Sequence, residues 1–152
     1  MNLIRSSQRL REGTRLLLRK LGIFERDEAL CCGVTYAQCH AVVEVGRKET
    51  LSLNELAELL NLDKSTVSKT VDQLVKNDIM LREPGQKDRR YVTLTLTTEG
   101  YELFQSIEKR MEAYFTEILD SIPENKREQV IEGVQILSDA MQKTECWCRE
   151  RK

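Results

Sequence analysis

The segment Leu53–Ser68 reads LNELAELLNLDKSTVS and has the pattern of two successive helices. Ser52 and Glu55 have the spacing of a capping box, which predicts the start of a short helix with a leucine-rich apolar side. Asn61–Asp63 interrupts this pattern and ends on an aspartate, a residue well suited to cap a second helix from Lys64 to about Asn77. The sequence therefore predicts two helices joined by a tight turn.

The residues after this helix pair change from a helical to an alternating pattern. Met80–Glu83 and Tyr91–Thr97 are predicted as strands, and the charged segment Pro84–Arg90 between them contains proline and glycine. In the second strand, apolar and threonine side chains alternate, as expected when one face is buried. The sequence thus predicts a two-stranded hairpin with a basic tip.

Helices are predicted on both sides of this central part. Asn2–Leu21 has the pattern of an amphipathic helix, and Thr35 can cap a helix over Tyr36–Val45 that ends at Gly46. Thr97 or Thr98 can cap a long helix that runs to Ile122, and a last helix follows Pro123. The predicted fold is mainly α with a small β-hairpin wing. Its parts are an N-terminal helix and linker at 1–33, a winged helix-turn-helix at 34–98, C-terminal helices at 99–143 and a cysteine-containing tail at 144–152.

Composition narrows the classes of function. The 152 residues include 24 Lys and Arg against 25 Asp and Glu, so the formal charge is −1 and a uniformly basic surface is excluded. A locally basic face remains compatible with this balance. The apolar runs are too short for a membrane helix and the first residues do not resemble a secretory signal, so we expect a cytoplasmic protein.

The sequence offers little for catalysis. His40 is the one histidine, and neither a phosphate-binding glycine loop nor a Ser/His/Asp set is present in the sequence. We therefore expect a protein that is not an enzyme.

The predicted second helix and the hairpin tip have the chemistry of a DNA-reading surface. A helix about 10–12 Å across fits a major groove about 12 Å wide, and small polar and cationic side chains can reach bases and phosphates there. A hairpin tip can place a cation in the adjacent minor groove. The alternative is a winged-helix interaction module whose charges are merely solvated. The candidate DNA-binding residues are Lys64, Ser65, Thr66, Ser68, Lys69, Lys87, Asp88, Arg89 and Arg90.

These motifs resemble those of MarR-type transcriptional regulators. Leu53–Ser68 is similar to the family's helix-turn-helix, and the wing pattern of Asp-x-Arg, five residues and Leu-Thr is matched by Asp88, Arg90, Leu96 and Thr97. The resemblance extends from about Leu3 to Lys143. It implies a homodimer, expected to be a repressor, that binds a pseudo-palindromic operator with half-sites roughly 34–36 Å apart. It also implies that Arg90 is the wing arginine and that Asp88 holds it.

The length of the predicted C-terminal helix supports the dimer independently. Glu99–Ile122 spans about 24 residues, roughly 36 Å, and one small winged-helix domain cannot cover so long an apolar stripe. A second identical chain is the commonest partner, and a four-helix packing within one chain is the alternative.

Five cysteines suggest how the protein could respond to a signal. Thiolates are soft ligands that suit zinc or another thiophilic metal or metalloid, and they can also be oxidised. Adjacent cysteines and a Cys-x-Cys pair do not have the usual spacing of structural zinc sites. Metal or metalloid sensing, a thiol redox switch and an organic effector with incidental thiols all remain open. The candidate residues are Cys31, Cys32, Cys39, Cys146 and Cys148.

Overall fold

The computed structural model describes residues 2–21, 33–85 and 87–144. These residues form two compact units, Met1–Lys109 and Arg110–Lys152, which are described separately. The elements are α1 (Leu3–Lys20), α2 (Tyr36–Lys48), β1 (Leu51–Ser52), α3 (Leu53–Leu60), α4 (Lys64–Lys76), β2 (Met80–Pro84), β3 (Val92–Leu96), α5 (Thr98–Asp120) and α6 (Glu124–Lys143).

The helices of the first unit begin where local side-chain capping predicts. Ser52 and Glu55 form the expected capping box at α3, and Asp63 caps α4. Thr35 caps α2 as predicted, and it also forms a second capping box with Gln38. Each cap satisfies backbone N–H groups that the first turn of a helix leaves without partners. These starts fix the order of the helix-turn-helix.

The core of the first unit lies between α2, α3, α4, the sheet and the first part of α5. Its apolar side chains come from helix and strand faces with the predicted spacings. Ile107 of α5 is fully buried in this cluster, so the start of the long helix belongs to the winged-helix core. The other fully buried large side chains are Val42, Val45, Leu56, Val67, Val71, Leu74, Met80 and Leu94.

The sheet has three strands, so the prediction of a two-stranded hairpin is wrong in strand number. The strand order is β1-β3-β2, with antiparallel pairing throughout. The extra strand, β1, contains only Leu51 and Ser52, and Leu51 pairs with Leu94. Two residues are too few for an alternating pattern to be visible in a sequence. In addition, Ser52 both pairs with β3 and caps α3, and only the capping role leaves a local signal.

The prediction that α2 ends at Gly46 is also wrong, because the helix continues to Lys48 and its C-cap is Glu49. Gly46 lies inside the helix, where a Cβ atom would come within 2.5 Å of the Phe104 ring of α5. The glycine permits a close approach of two helices rather than a left-handed cap. This reason for a glycine depends on a partner 58 positions away in the sequence.

Thr97 is the residue that caps α5. Its hydroxyl accepts a hydrogen bond from the Gly100 backbone N–H at 2.9 Å and donates to the Asp78 carbonyl at 2.6 Å. Gly100 is buried against the Ile79 carbonyl with no room for a Cβ atom. The start of α5 is therefore fixed on the turn that joins α4 to β2.

The second unit contains the C-terminal part of α5 and α6, with Pro123 between them. None of its described residues is buried within the single chain. Large apolar side chains are instead exposed along both helices, including Tyr114, Phe115, Ile131, Val134 and Ile136. In α1, likewise, no residue is buried. None of the described helices is long and apolar enough to cross a membrane.

Candidate nucleic-acid interface

The first turn of α4 is organised by the carboxylate of Asp63. It accepts hydrogen bonds from the Thr66 backbone N–H at 2.9 Å, the Ser65 hydroxyl at 2.7 Å and the Thr66 hydroxyl at 2.6 Å. These bonds, the Thr66 hydroxyl first, hold the pKa of Asp63 well below its ordinary value. The protons of two of the three predicted DNA-contacting hydroxyls, Ser65 and Thr66, are thus directed to Asp63.

Lys64 and Lys69 lie in the first two turns of α4 and are exposed. Among the residues that the structure describes, neither forms an ion pair. Three lysines against one aspartate, Asp72, make the helix basic although the whole chain carries a formal charge of −1. Helix α4 therefore carries a local positive charge that the net charge of the whole chain does not reveal.

Arg82 of β2 connects the middle of α4 to the sheet. Its guanidinium forms an ion pair with Asp72 and donates to the Ser68 hydroxyl oxygen at 3.3 Å. Arg82 pairs across the sheet with buried Leu94, and cross-strand partners lie on the same face, so its side chain is directed to the helix side. Sequence reasoning did not identify Arg82. The only signal was its position two residues after Met80, on the face of the strand that should be apolar.

The wing consists of β2, β3 and the residues that connect them, of which Gly85 and 87–91 are described. In this turn Asp88 accepts from the Arg90 Nε at 3.1 Å and from its terminal nitrogen at 2.8 Å, so the carboxylate holds the guanidinium with bidentate geometry. The Arg90 side chain is nonetheless 87% exposed. This contact lowers the pKa of Asp88 and raises that of Arg90. The guanidinium is held in a defined direction while its outer edge stays in solvent.

The other candidate residues of the wing, Lys87 and Arg89, are also exposed. Three cations against Asp88 make the tip basic, as the sequence indicates. All nine residues predicted to contact DNA therefore lie in one unit, five of them in α4 and four in the wing. Arg82 joins these two elements.

The predicted thiol site is only partly described. Cys39 lies in the first turn of α2, half-buried, and packs against the core. Cys31, Cys32, Cys146 and Cys148 lie outside the described residues. Within the ranges 2–21, 33–85 and 87–144, no three His, Cys, Asp or Glu side chains come together as a metal site.

His40 lies beside an aromatic ring. Its ring centroid lies 4.3 Å from that of Tyr36, one turn earlier in α2. Loss of hydration lowers the pKa of His40, and nearby Glu44 opposes this effect. The contact with Tyr36 lies within α2 while His40 stays exposed, so the structure places His40 on the surface of this helix.

Comparisons with known proteins identify the same segment. The profile of the MarR family matches residues 34–92. The chain is 26% identical over 122 residues to the HTH-type transcriptional regulator BilQ of Clostridium symbiosum, covering 76% of this chain and 85% of that protein. It is 27% identical over 113 residues to the HTH-type transcriptional repressor MdtR of Bacillus subtilis, covering 74% of this chain and 71% of that protein.

Solved structures share the fold. The structure of Streptococcus pneumoniae FabT in complex with DNA superposes with a TM-score of 0.77 at 18% identity, covering 90% of this chain and 97% of that one. The Staphylococcus aureus MepR–DNA complex gives a TM-score of 0.72 at 17% identity, covering 86% and 96%. At these identities the superpositions establish the architecture alone.

Proposed function

This chain is a MarR-type winged helix-turn-helix protein, and from that premise we propose that it regulates transcription by binding double-stranded DNA through α4 and the wing. The observation that carries the proposal is the placement of Arg90. A guanidinium that is 87% exposed, yet held by the two hydrogen bonds it donates to a neighbouring carboxylate, is oriented for an external anion. An interaction module that does not bind nucleic acid has no need of this arrangement.

The two basic elements suit the two grooves of one duplex. In the proposed complex α4 enters a major groove, where Lys64 and Lys69 reach the phosphates of its walls. The wing tip enters the neighbouring minor groove, where the negative potential favours Arg90, with Lys87 and Arg89 nearby. Ser65 and Thr66 contribute chiefly through Asp63, by fixing the start of α4, and they accept rather than donate toward the duplex.

We also propose that the protein acts as a homodimer. Support comes from the second unit, where Phe115 is 50% exposed, Val134 58% and Ile136 60% within a single chain. The described residues from Arg110 onward, in the C-terminal part of α5 and in α6, include none that is buried, which is too little apolar burial for stability, so a second surface must cover them. A twofold-related copy covers an identical surface in each chain, and it presents two α4 helices to a pseudo-palindromic operator.

The regulatory direction proposed is repression, relieved by an effector. The name of the related MdtR describes a repressor. The cysteines are the proposed effector site, since five thiols in one chain offer ligands to a thiophilic metal or metalloid, or targets for an oxidant. Metal analysis with thiol titration, on the wild type and a Cys146/Cys148 double variant, tests this. Bound metal that is absent from the variant supports metal sensing. Five reactive thiols with no metal favour an oxidant or an organic ligand.

Duplex binding is tested by selecting bound sequences from a random DNA library and measuring their affinity at several salt concentrations. We expect an enriched, pseudo-palindromic duplex whose affinity falls steeply with salt, because cations on α4 and the wing displace counterions from phosphates. The matched control is the Lys69→Ala/Arg90→Ala double variant, which keeps the cap and the core intact. Equal, salt-insensitive binding by both proteins would favour the interaction-module alternative.

A further inference from the structure

Four hydroxyl side chains lie in the N-terminal half of α4, and three of them donate their protons within the protein. Ser65 and Thr66 donate to Asp63, and Thr70 donates to the Thr66 carbonyl at 3.1 Å. Ser68 differs from the others. Its hydrogen bond within the described part of the chain is the one from Arg82, at 3.3 Å. An arginine can only donate, so in this bond the Ser68 oxygen must be the acceptor.

This contact biases the polarity of Ser68 toward outward donation. A hydroxyl has one proton and two lone pairs, and Arg82 occupies a lone pair while the proton has no acceptor among the residues that the structure describes. Donation from a cation also makes the hydroxyl a stronger donor, because successive hydrogen bonds polarise one another. Asp72, one turn after Ser68 on the same helix face, forms the ion pair that holds the guanidinium in place.

We propose that Ser68 is the hydrogen-bond donor through which α4 reads a base, and that Arg82, anchored by Asp72, is the positioning residue that sets this polarity. The inference rests on the proposed DNA-binding function and deepens it. The partner is a major-groove acceptor, namely a purine N7, the O6 of guanine or the O4 of thymine. The amino groups of cytosine and adenine are donors and are disfavoured at this position.

A base fits Ser68 better than a phosphate does, for reasons of reach. A serine side chain is short and half-buried here, so it contacts only what lies directly against the helix surface. The long, exposed lysines at 64 and 69 can extend to the groove walls where the phosphates lie. In α4, the long lysine side chains therefore reach the phosphates of the DNA backbone, and one oriented hydroxyl reaches a base edge.

The test combines protein variants with duplexes that lack one acceptor at a time. The starting duplex is the sequence selected from the random library. N7 is removed with 7-deazapurines, the guanine O6 with 2-aminopurine and the thymine O4 with 5-methyl-2-pyrimidinone. The proteins are the wild type, Ser68→Ala and the matched control Ser65→Ala, whose hydroxyl is already committed to Asp63. Each protein is titrated with each duplex by fluorescence anisotropy.

At one position in each half-site, we expect acceptor removal to weaken wild-type binding by about threefold to tenfold, the range for one hydrogen bond. Ser68→Ala should bind the intact and the modified duplex equally, while Ser65→Ala should show the wild-type loss. Arg82→Met and Asp72→Asn should both reduce the sensitivity at that same position, and Asp72→Asn provides this readout even if Arg82→Met fails to fold.

Sensitivity of Ser68→Ala that equals the wild type at every modified position would overturn the inference while leaving DNA binding intact. The same holds if the Ser68→Ala effect couples to neutral methylphosphonate substitutions instead of to a base. A library that yields no enriched duplex would contradict the proposed function itself, and the two failures are thereby distinguished.

Discussion

Replacing Gly46 by alanine is expected to destabilise the protein, although the same change in an open helix is stabilising. An ideal Cβ at this position lies 2.5 Å from both Cγ and Cδ2 of Phe104 and 2.9 Å from Cδ1. Carbon atoms prefer about 3.5–4.0 Å, so the ring must retreat by about 1 Å. Phe104 packs against the buried core and has little room to do so. Overpacking of this kind costs about 1–3 kcal/mol, which exceeds the gain of about 0.5–1 kcal/mol from replacing a helical glycine.

The net loss of about 1 kcal/mol can be measured as a lower urea midpoint with an unchanged slope, at one fixed protein concentration because the chain is proposed to dimerise. In thermal unfolding it corresponds to about 2–4 °C for a chain of this size. Phe104→Leu provides the control background, since a smaller side chain leaves space for the new methyl group. There, Gly46→Ala should cost much less or become stabilising. A raised midpoint for Gly46→Ala in the wild-type background would refute the close-approach argument.

Three further outcomes follow from the proposed interface and one from the second unit. Arg90→Ala should weaken operator binding at least tenfold at physiological salt, and an unchanged affinity would remove the wing from the contact surface. Lys69→Ala should weaken binding and flatten the logarithmic salt slope by about 0.9 for each phosphate that the lysine neutralises; an unaltered slope excludes this role for Lys69. Hydrogen bonding holds the pKa of Asp63 below its ordinary value of 3.8, so its stabilising effect is present above about pH 4 and disappears on acidification. The stability difference between the wild type and Asp63→Asn should therefore shrink below pH 4 in urea titrations. Val134→Glu should shift the protein toward monomer in sedimentation velocity, whereas Gln129→Glu, with the same added charge, should not.

Structural features that depend only on residues close together in the chain could be predicted from the sequence. The capping box of Ser52 and Glu55 and the cap at Asp63 need only three or four residues to be recognised, because the groups that bond are neighbours in the chain. The contact of Asp88 with Arg90 also joins near neighbours in the chain, but it was the family resemblance that implied it. The helix-turn-helix and the wing are built from such local signals, and their fold is confirmed.

Features that depend on distant partners could not be predicted in this way. Gly46 has the local pattern of a helix end, yet it serves the packing of Phe104 from another helix. β1 is recognisable only once β3 lies beside it. In the sequence, Arg82 has no pattern that distinguishes it from any other charged residue of a strand. Its contacts with Ser68 and Asp72 form because the sheet packs against α4. In each case the missing information is tertiary, and the sequence of the element itself does not contain it.

The base preference proposed for α4 depends on residues outside that helix. The side chains of α4 alone do not determine whether Ser68 donates or accepts, since an isolated serine can do either. Arg82 biases that choice toward donation from outside the helix, and Asp63 takes up the hydroxyl protons of Ser65 and Thr66 at the helix start. Two proteins with an identical α4 but a different residue at position 82 should therefore prefer different bases at the same site. Transferring α4 without β2 should carry over the proposed phosphate contacts of its lysines but not the proposed base preference of Ser68.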